Sequence, residues 1–216
     1  YLDNSMIYLF ILLLKTLKVY RNKIVCVQHF NPYEKFNQVF KNSFKHLEHV
    51  FFLSDLNRKD TIKKGWCSSI NSSVLPWGVE LNFYRKYDLS FKYNNTFIST
   101  GIENRDYELL VKLFKNHSNC NLLLFIPYGK KDELNPFYDC SNIHVVGVKQ
   151  NKDTVKYLIE QICKCTAVII PLKNNQHYCV GLTCLVEALA LGKPILTTLN
   201  TYYPVNVDES HIGYSV

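Results

Sequence analysis

A single carboxylate interrupts an apolar helix pattern near the carboxyl end of the chain. Glu187 lies in VGLTCLVEALALGKPILTT, residues 180–198, where alanine and leucine otherwise dominate. Thr183 lies four residues earlier, so the two side chains share a helix face, and Gly181 begins the helix without a Cβ. Helix starts bind phosphate through free N–H groups, and carboxylates accept hydrogen bonds from hydroxyls. The spacing predicts a nucleotide site, with the diphosphate at the helix start and the ribose diol on Glu187.

Two structural alternatives for Glu187 remain open at this point. The carboxylate could pair with Lys173 or Lys193, or it could simply face water. A buried and unpaired carboxylate would cost several kcal/mol. The core contacts of the same helix are predicted to come from Leu182, Leu185, Val186 and Leu189.

The segments around this helix alternate between apolar strand patterns and amphipathic helix patterns. Strand runs without polar alternation are typical of a parallel sheet covered on both faces. Gly192 and Pro194 end the helix that contains Glu187. The chain is therefore predicted to be α/β and doubly wound, with a polar, aromatic linker over 84–95. Strands are predicted in 23–30, 49–54, 72–78, 96–100, 121–127, 142–147, 167–172 and 194–198.

Two of the predicted helices carry further expectations. The helix over 104–116 is expected to bury one face that contains Leu109, Leu110, Leu113 and Phe114. The apolar run at 6–14 is too short to span a membrane, for which about 18–20 residues are needed. We expect it to form a buried helix, with peripheral membrane contact as the alternative.

Composition narrows the class of protein. The 216 residues are 47% hydrophobic and 20% charged, which is typical of a globular chain. The net charge of +7 suits an anionic ligand or an acidic membrane surface. Because no Lys/Arg block occurs, nucleic acid is not expected as a partner. The eight cysteines form no CxxC pair, which indicates a reducing, intracellular compartment. Cys163 and Cys165 lack a second pair at zinc spacing, so no metal is expected.

Five segments occur in the order that one enzyme family shows. They are VLPWGVELNFY at 74–84, STGIENRDYELLVKLF at 99–114, IHVVGV at 143–148, GLTCLVEALALGKPILTT at 181–198 and NVDESHIGYSV at 206–216. Together they resemble GT-B glycosyltransferases, of the family 4 and family 1-type group transferases: the first resembles the segment that ends the N-terminal domain, and the other four resemble the donor half. The resemblance covers residues from about 70 onward, and the earlier part only by its pattern.

The resemblance implies two Rossmann-like domains and a sugar-transfer reaction. Residues 1–88 would be part of an incomplete acceptor-side domain, and 89–216 a donor domain lacking its last helices. The activity implied is metal-independent transfer of a sugar from a nucleoside-diphosphate sugar to a glycan or lipid-linked acceptor, without a further cofactor. The expected location is cytoplasmic, with the inner membrane face as an alternative. We expect the chain to be a piece truncated at both ends and inactive alone.

The resemblance also implies roles for individual residues. Glu187 would bind the ribose hydroxyls, and Arg105 would neutralise the departing diphosphate above Gly101. His29, at the end of a strand, would face the cleft as a catalytic group, and His177 would touch the transferred sugar; each could equally be structural. The remaining matches are the diphosphate-facing helix start at Gly181, Leu182 and Thr183, and the base contacts at Val148 and Lys149.

The sequence departs from the family pattern at two places. Cys179 stands where many family 4 enzymes have an additional acid, and Ile102 and Glu103 stand where an arginine is usual. The sugar and the stereochemistry of transfer are therefore left open. No D-x-D occurs, so a metal-bridged diphosphate is not expected. Two other functions remain as alternatives: a GT-B-like sugar-nucleotide epimerase, and a nucleotide-binding module without catalysis.

Overall fold

The computed structural model describes residues 6–29, 44–87, 94–127, 140–148, 152–173 and 176–216. The chain divides into two compact units. The first consists of Tyr1–Pro76, His177–Cys179 and Tyr202–Pro204, and the second of Trp77–Gln176, Val180–Thr201 and Val205–Val216. The predicted boundary at residue 88 lies outside the described residues and stays a prediction. The acceptor and donor roles of the two parts stay predictions.

The first unit contains a parallel three-stranded sheet. Its strands are β1 (Val25–Gln28), β2 (His49–Phe52) and β3 (Ser72–Val74), in the order β1-β2-β3. The helix α1 (Met6–Thr16) precedes β1, and α2 (Asp55–Lys63) connects β2 to β3. All three strands fall in the predicted runs. The core of this unit is formed by Phe44, Leu47, Val50, Phe52 and Trp66.

The helix α1 is not the buried helix that its composition predicts. Phe10 is 59% exposed and Leu13 is 53% exposed, because the described part of the chain does not cover this side of the helix. In the described ranges, no helix is both long enough and apolar enough to cross a membrane.

The second unit is built on a six-stranded parallel sheet. Its strands are β4 (Thr96–Thr100), β5 (Asn121–Pro127), β6 (Ile143–Val148), β7 (Ala167–Ile170), β8 (Ile195–Thr197) and β9 (Gly213–Ser215). The order is β6-β5-β4-β7-β8-β9, with every pair parallel. From β4 the chain adds β5 and β6 on one side, and it then returns to add β7, β8 and β9 on the other side of β4. This is the doubly wound order of Rossmann-type sheets, whose switch point lies between β4 and β7.

Helices cover both faces of this sheet. All four residues of β7 are buried, and successive strand residues point to opposite faces. The helices in contact with the sheet are α4 (Tyr107–Lys115), α5 (Lys152–Lys164) and α6 (Leu182–Ala190), and the short helix α3 (Leu81–Tyr84) precedes β4. The predicted α/β class with two parallel sheets is thus confirmed, whereas the short elements α3 and β9 were not predicted.

The buried faces of two helices differ from those expected. In α4 the core residues are Leu110, Val111 and Phe114, while Leu109 and Leu113 are about half exposed. The helix packs on the sheet through positions i, i+1 and i+4. Its buried face is therefore rotated away from Leu109 and Leu113, which the prediction had included. In α6 the buried residues are Leu182, Cys184, Leu185 and Ala188, and Leu189 is exposed.

Candidate functional site

The helix α6 begins at the predicted glycine. Gly181 is its N-cap, with a φ of +86°, in the left-handed region that favours glycine. A glycine has no side chain with which to cap the first-turn N–H groups. The described residues provide no acceptor for the N–H groups of Leu182, Thr183 and Cys184. The start of α6 is therefore a set of open donors at the positive end of the helix dipole.

The three predicted phosphate-facing residues contribute differently to this helix start. The Leu182 side chain is buried, so only its main-chain N–H is offered to a ligand. The Thr183 side chain is exposed, and the glycine before them is partly buried. An anion at this helix start would meet the open N–H groups of the first turn and the Thr183 hydroxyl.

Glu187 lies one turn further along α6 and is partly buried. Its Oε1 accepts a hydrogen bond from the hydroxyl of Tyr84 at 3.1 Å. Tyr84 belongs to α3 and is itself buried. No described cationic group lies within 4.0 Å of the carboxylate. The partner of Glu187 is thus a tyrosine that sequence spacing did not suggest.

The lysines proposed as alternative partners are not paired with Glu187. The Lys193 ammonium is buried and donates to the carbonyl oxygens of Cys163 at 2.6 Å and Cys165 at 3.1 Å. These carbonyls lie at the carboxyl end of α5, where a cation is favourable. Lys173 is exposed, and its main-chain N–H donates to Asn104. Both ion-pair interpretations of Glu187 are therefore excluded.

Burial and the tyrosine act in opposite directions on the carboxylate. Desolvation raises the pKa of Glu187, and the hydrogen bond from Tyr84 lowers it. The pKa of Tyr84 is raised by burial first and by the charge of Glu187 second. The tyrosine therefore stays protonated at neutral pH and acts as the donor. Oε1 of Glu187 is thus bound by Tyr84, and Oε2 of Glu187 has no described hydrogen bond.

Gly101 and Arg105 lie together at the carboxyl end of β4. Gly101 has a φ of +109°, and a Cβ at this position would lie 2.6 Å from Nη2 of Arg105. The guanidinium is buried. Its Nε donates to the carbonyl of Thr100 at 3.1 Å, and its Nη1 donates to that of Glu103 at 2.8 Å. Arg105 therefore packs on the bare face of Gly101 and stabilises the turn after β4.

Cys184 joins this turn to α6. Nη2 of Arg105 donates to the Cys184 Sγ at 3.4 Å, and the thiol lies 3.5 Å from the carbonyl oxygen of Thr100. Burial raises the pKa of Cys184, so the group is a neutral thiol. The three nitrogens of the Arg105 guanidinium thus each donate one hydrogen bond to the protein, and these bonds hold the group in place. A guanidinium carries five N–H groups, so two of them have no described acceptor and could meet a diphosphate.

The loops after β4 and β7 are held together at the switch point of the sheet. The N–H of Asp106 donates to the carbonyl of Pro171, and the N–H of Lys173 to that of Asn104, each at 2.9 Å. The hydroxyl of Tyr107 donates to the carbonyl of Gly101 at 2.6 Å. These bonds give a rigid rim beside the start of α6. In sheets of this order, ligands bind at such a crevice.

Of the other predicted residues, three lie in the described part of the chain and one does not. Val148 ends β6, two strands from β4 at the same carboxyl edge of the sheet, and Lys149 lies outside the described residues. His29 follows β1 in the first unit and is partly buried; His177 groups with the same unit and is exposed. Their roles stay predictions.

Two residues of the cluster were missed by sequence reasoning. Cys184 was not among the predicted site residues, although it lies in the first turn of α6, next to Thr183. Tyr84 is 103 residues away from Glu187, and only its place in the 74–84 segment connected it with the site. In the described ranges, no group of three or more His, Cys, Asp or Glu side chains is arranged to hold a metal.

No protein-family model and no curated protein matches the sequence. Solved structures do resemble it. A glycosyltransferase from Rickettsia africae matches with a TM-score of 0.65 and 13% identity, over 93% of this chain and 57% of that one. A structure of accessory secretory protein 1, 2 and 3 in Streptococcus pneumoniae matches with a TM-score of 0.50 and 10% identity, over 94% of this chain and 45% of that one.

A third structure, AviGT4, a glycosyltransferase involved in avilamycin A biosynthesis, has a TM-score of 0.49 and 16% identity, over 69% of this chain and 43% of that one. The chain spans somewhat more than half the length of the Rickettsia protein. At these identities the likeness concerns the fold. The chain therefore has a glycosyltransferase-like fold.

Proposed function

We propose that this chain is part of a glycosyltransferase and that its second unit binds the nucleoside-diphosphate sugar. The observation that carries the proposal is the Glu187 carboxylate. It is partly buried without a described cation beside the uncapped start of α6. A cation-free carboxylate at such a position is costly unless neutral hydroxyls bind to it. The Tyr84 hydroxyl binds Oε1, and a ribose diol would provide donors for Oε2.

In this proposal the diphosphate lies on the first turn of α6. The open N–H groups of Leu182, Thr183 and Cys184 and the Thr183 hydroxyl would bind its oxygens, with the helix dipole favouring the negative charge. As the bond to the sugar breaks, charge grows on the diphosphate, and donors already in place stabilise it without reorganisation. Arg105 would join them through an N–H group of Nη1 or Nη2 that has no described acceptor.

The proposal extends to the acceptor, the transferred sugar and the nucleotide base. We infer a glycan or lipid-linked acceptor, with His29 as the candidate group on the first unit. His177 would contact the transferred sugar, and Val148 with Lys149 would meet the base. The 216-residue chain is expected to bind nucleotide weakly and to transfer no sugar by itself.

The binding test uses calorimetry with UDP, GDP and ADP. Glu187→Gln should weaken the tightest-binding nucleotide about tenfold or more, because charge-assisted hydrogen bonds are worth roughly 1.5–3 kcal/mol. Glu160→Gln is the matched control, since Glu160 forms only a surface pair with Lys156. Equal affinities for wild type and Glu187→Gln, or no binding of any of the three nucleotides, would refute the donor site.

The neutral Cys179 favours a second candidate, a nucleotide-binding module without catalysis. Its thiol is buried, and burial raises its pKa to about 11, so it cannot replace a carboxylate. Because the 216-residue chain is expected to transfer no sugar by itself, these candidates are compared in the full-length protein. There, release of nucleoside diphosphate that depends on an added acceptor glycan would support the transferase. Binding without release would support the module, and sugar-nucleotide conversion without any acceptor would support the epimerase.

A further inference from the structure

Tyr84 is the described residue that contacts the Glu187 carboxylate through its side chain. Its hydroxyl donates to Oε1 at 3.1 Å, and the tyrosine is 6% exposed. The hydroxyl has no other described acceptor. Because a buried hydroxyl without a partner is costly, this bond is expected to persist in the free protein.

The ring of Tyr84 is held in place by its aromatic neighbour. The Phe83 ring packs edge-on against it with centroids 5.2 Å apart, and against Tyr87 at 5.9 Å. A tyrosine side chain has only two torsions to fix, whereas a glutamate has three. The hydroxyl is therefore a fixed point that selects one rotamer of a side chain that would otherwise sample several.

These contacts come from a segment far from α6 in the chain, and they act on the group that would meet the ribose. We propose that Tyr84 is a positioning residue for the nucleotide site: its hydroxyl holds Glu187 so that the second carboxylate oxygen is presented to the ribose hydroxyls. The inference rests on the proposed donor site and deepens it. Tyr84 need not touch the nucleotide to act in this way.

The same bond affects the protonation of Glu187. The titratable and charged groups that face it are Tyr84 from α3, Cys184 on α6 itself, and Arg105, which reaches Cys184 from the turn after β4. Burial raises the pKa of Glu187, and the tyrosine hydroxyl opposes that rise. Without the hydroxyl, the carboxyl group would gain its proton at a higher pH and lose part of its strength as an acceptor.

The test is calorimetry on Tyr84→Phe, with whichever of UDP, GDP and ADP binds wild type most tightly, between about pH 5 and pH 8. At pH 7 the affinity should fall about two- to tenfold, the loss expected for one positioning hydrogen bond. The pH at which affinity is half lost should move upward relative to wild type. Tyr157→Phe on α5 is the control, because this half-exposed ring packs on Phe125; it should change neither quantity.

The double variant Tyr84→Phe/Glu187→Gln separates the outcomes. In the Glu187→Gln background, removing the hydroxyl should cost no further affinity, because the residue it positions no longer carries a charge. If Glu187→Gln binds as wild type does, the proposed function fails. If Glu187→Gln binds more weakly but Tyr84→Phe keeps both the affinity and the pH profile of wild type, the role of Tyr84 is overturned.

A second substitution covers the case in which Tyr84→Phe does not fold. Site-specific replacement of Tyr84 by 3-fluorotyrosine keeps the ring and makes the hydroxyl a stronger donor. The pH at which nucleotide affinity is half lost should then move downward. An unchanged or raised midpoint would contradict the proposal.

Discussion

The turn after β4 depends on the absence of one side chain. Gly101 has a φ of +109°, and a Cβ there would lie 2.6 Å from Nη2 and 3.0 Å from Cζ of Arg105. Gly101→Ala therefore imposes two separate costs. The backbone must keep a conformation that L-residues rarely adopt, and the guanidinium must move away from its bonds to Thr100, Glu103 and Cys184.

The size of the effect follows from these two costs. Backbone strain of this kind is worth about 1–3 kcal/mol. Losing one charge-assisted hydrogen bond of the guanidinium adds roughly 1.5–3 kcal/mol. We expect Gly101→Ala to lower the free energy of unfolding by about 3–5 kcal/mol, which is a large fraction of the stability of an ordinary domain.

Two other glycines separate the costs. Gly192 also has a positive φ, +61°, but a Cβ there meets nothing within 4 Å. Its alanine variant should lose only the backbone term, about 1–2 kcal/mol. Gly78 has neither a positive φ in this range nor a neighbour within 4 Å, and its alanine variant should be unchanged or stabilised by about 0.4–1 kcal/mol.

The assay is urea unfolding followed by circular dichroism on the three alanine variants and wild type. The predicted order of stability is Gly78→Ala, then Gly192→Ala, then Gly101→Ala. If Gly101→Ala is no less stable than Gly192→Ala, the packing of Arg105 on Gly101 does not contribute to stability.

Further predictions concern buried polar groups. Lys193→Met should lower the free energy of unfolding by about 1–3 kcal/mol in urea titrations, because two carbonyls at the end of α5 lose their donor; an unchanged midpoint would contradict this. In the native protein, iodoacetamide should modify the partly exposed Cys26 before the buried Cys184 and Cys165, since burial raises the pKa of Cys165 to about 12; mass spectrometry gives the order, and early loss of Cys165 would refute it. The folded-state pKa of Glu187 is raised, so the folded chain binds a proton on this carboxylate more tightly than the unfolded chain does. The contribution of Glu187 to the free energy of unfolding therefore falls as pH rises from about 4.3. Plotted against pH above about 4.3, the urea unfolding midpoint should change less for Glu187→Gln than for wild type. Parallel plots for the two proteins would refute the raised pKa of Glu187.

The sequence was sufficient for the parts of the fold that depend on local periodicity. The apolar runs identified the strands from β1 to β8, and glycines at 181 and 192 marked the ends of α6. The helix α3 has only four residues, too few for a helical period to be visible. The strand β9 has three, and its Gly213 is needed because a Cβ there would overlap the carbonyl of Ile195, a contact that no local pattern reveals.

The candidate site was predictable in its local geometry and not in its long-range partners. The spacing of Gly181, Thr183 and Glu187 correctly placed an open helix start one turn from a carboxylate. That carboxylate accepts a hydrogen bond from Tyr84, and Arg105 donates three hydrogen bonds, two to main-chain carbonyls and one to Cys184. Such contacts depend on tertiary packing, which spacing along the chain does not encode.

The proposed hydrogen bonds from the ribose hydroxyls to Glu187 are tested most directly by removing those hydroxyls from the ligand. Calorimetry would compare a nucleoside diphosphate with its 2′,3′-dideoxy form, on wild type and on Glu187→Gln. Wild type should bind the dideoxy form about tenfold more weakly or worse, whereas Glu187→Gln should bind both forms with similar affinity. An equal loss of affinity in the two proteins would show that the carboxylate does not contact the ribose, and would contradict the proposed donor site.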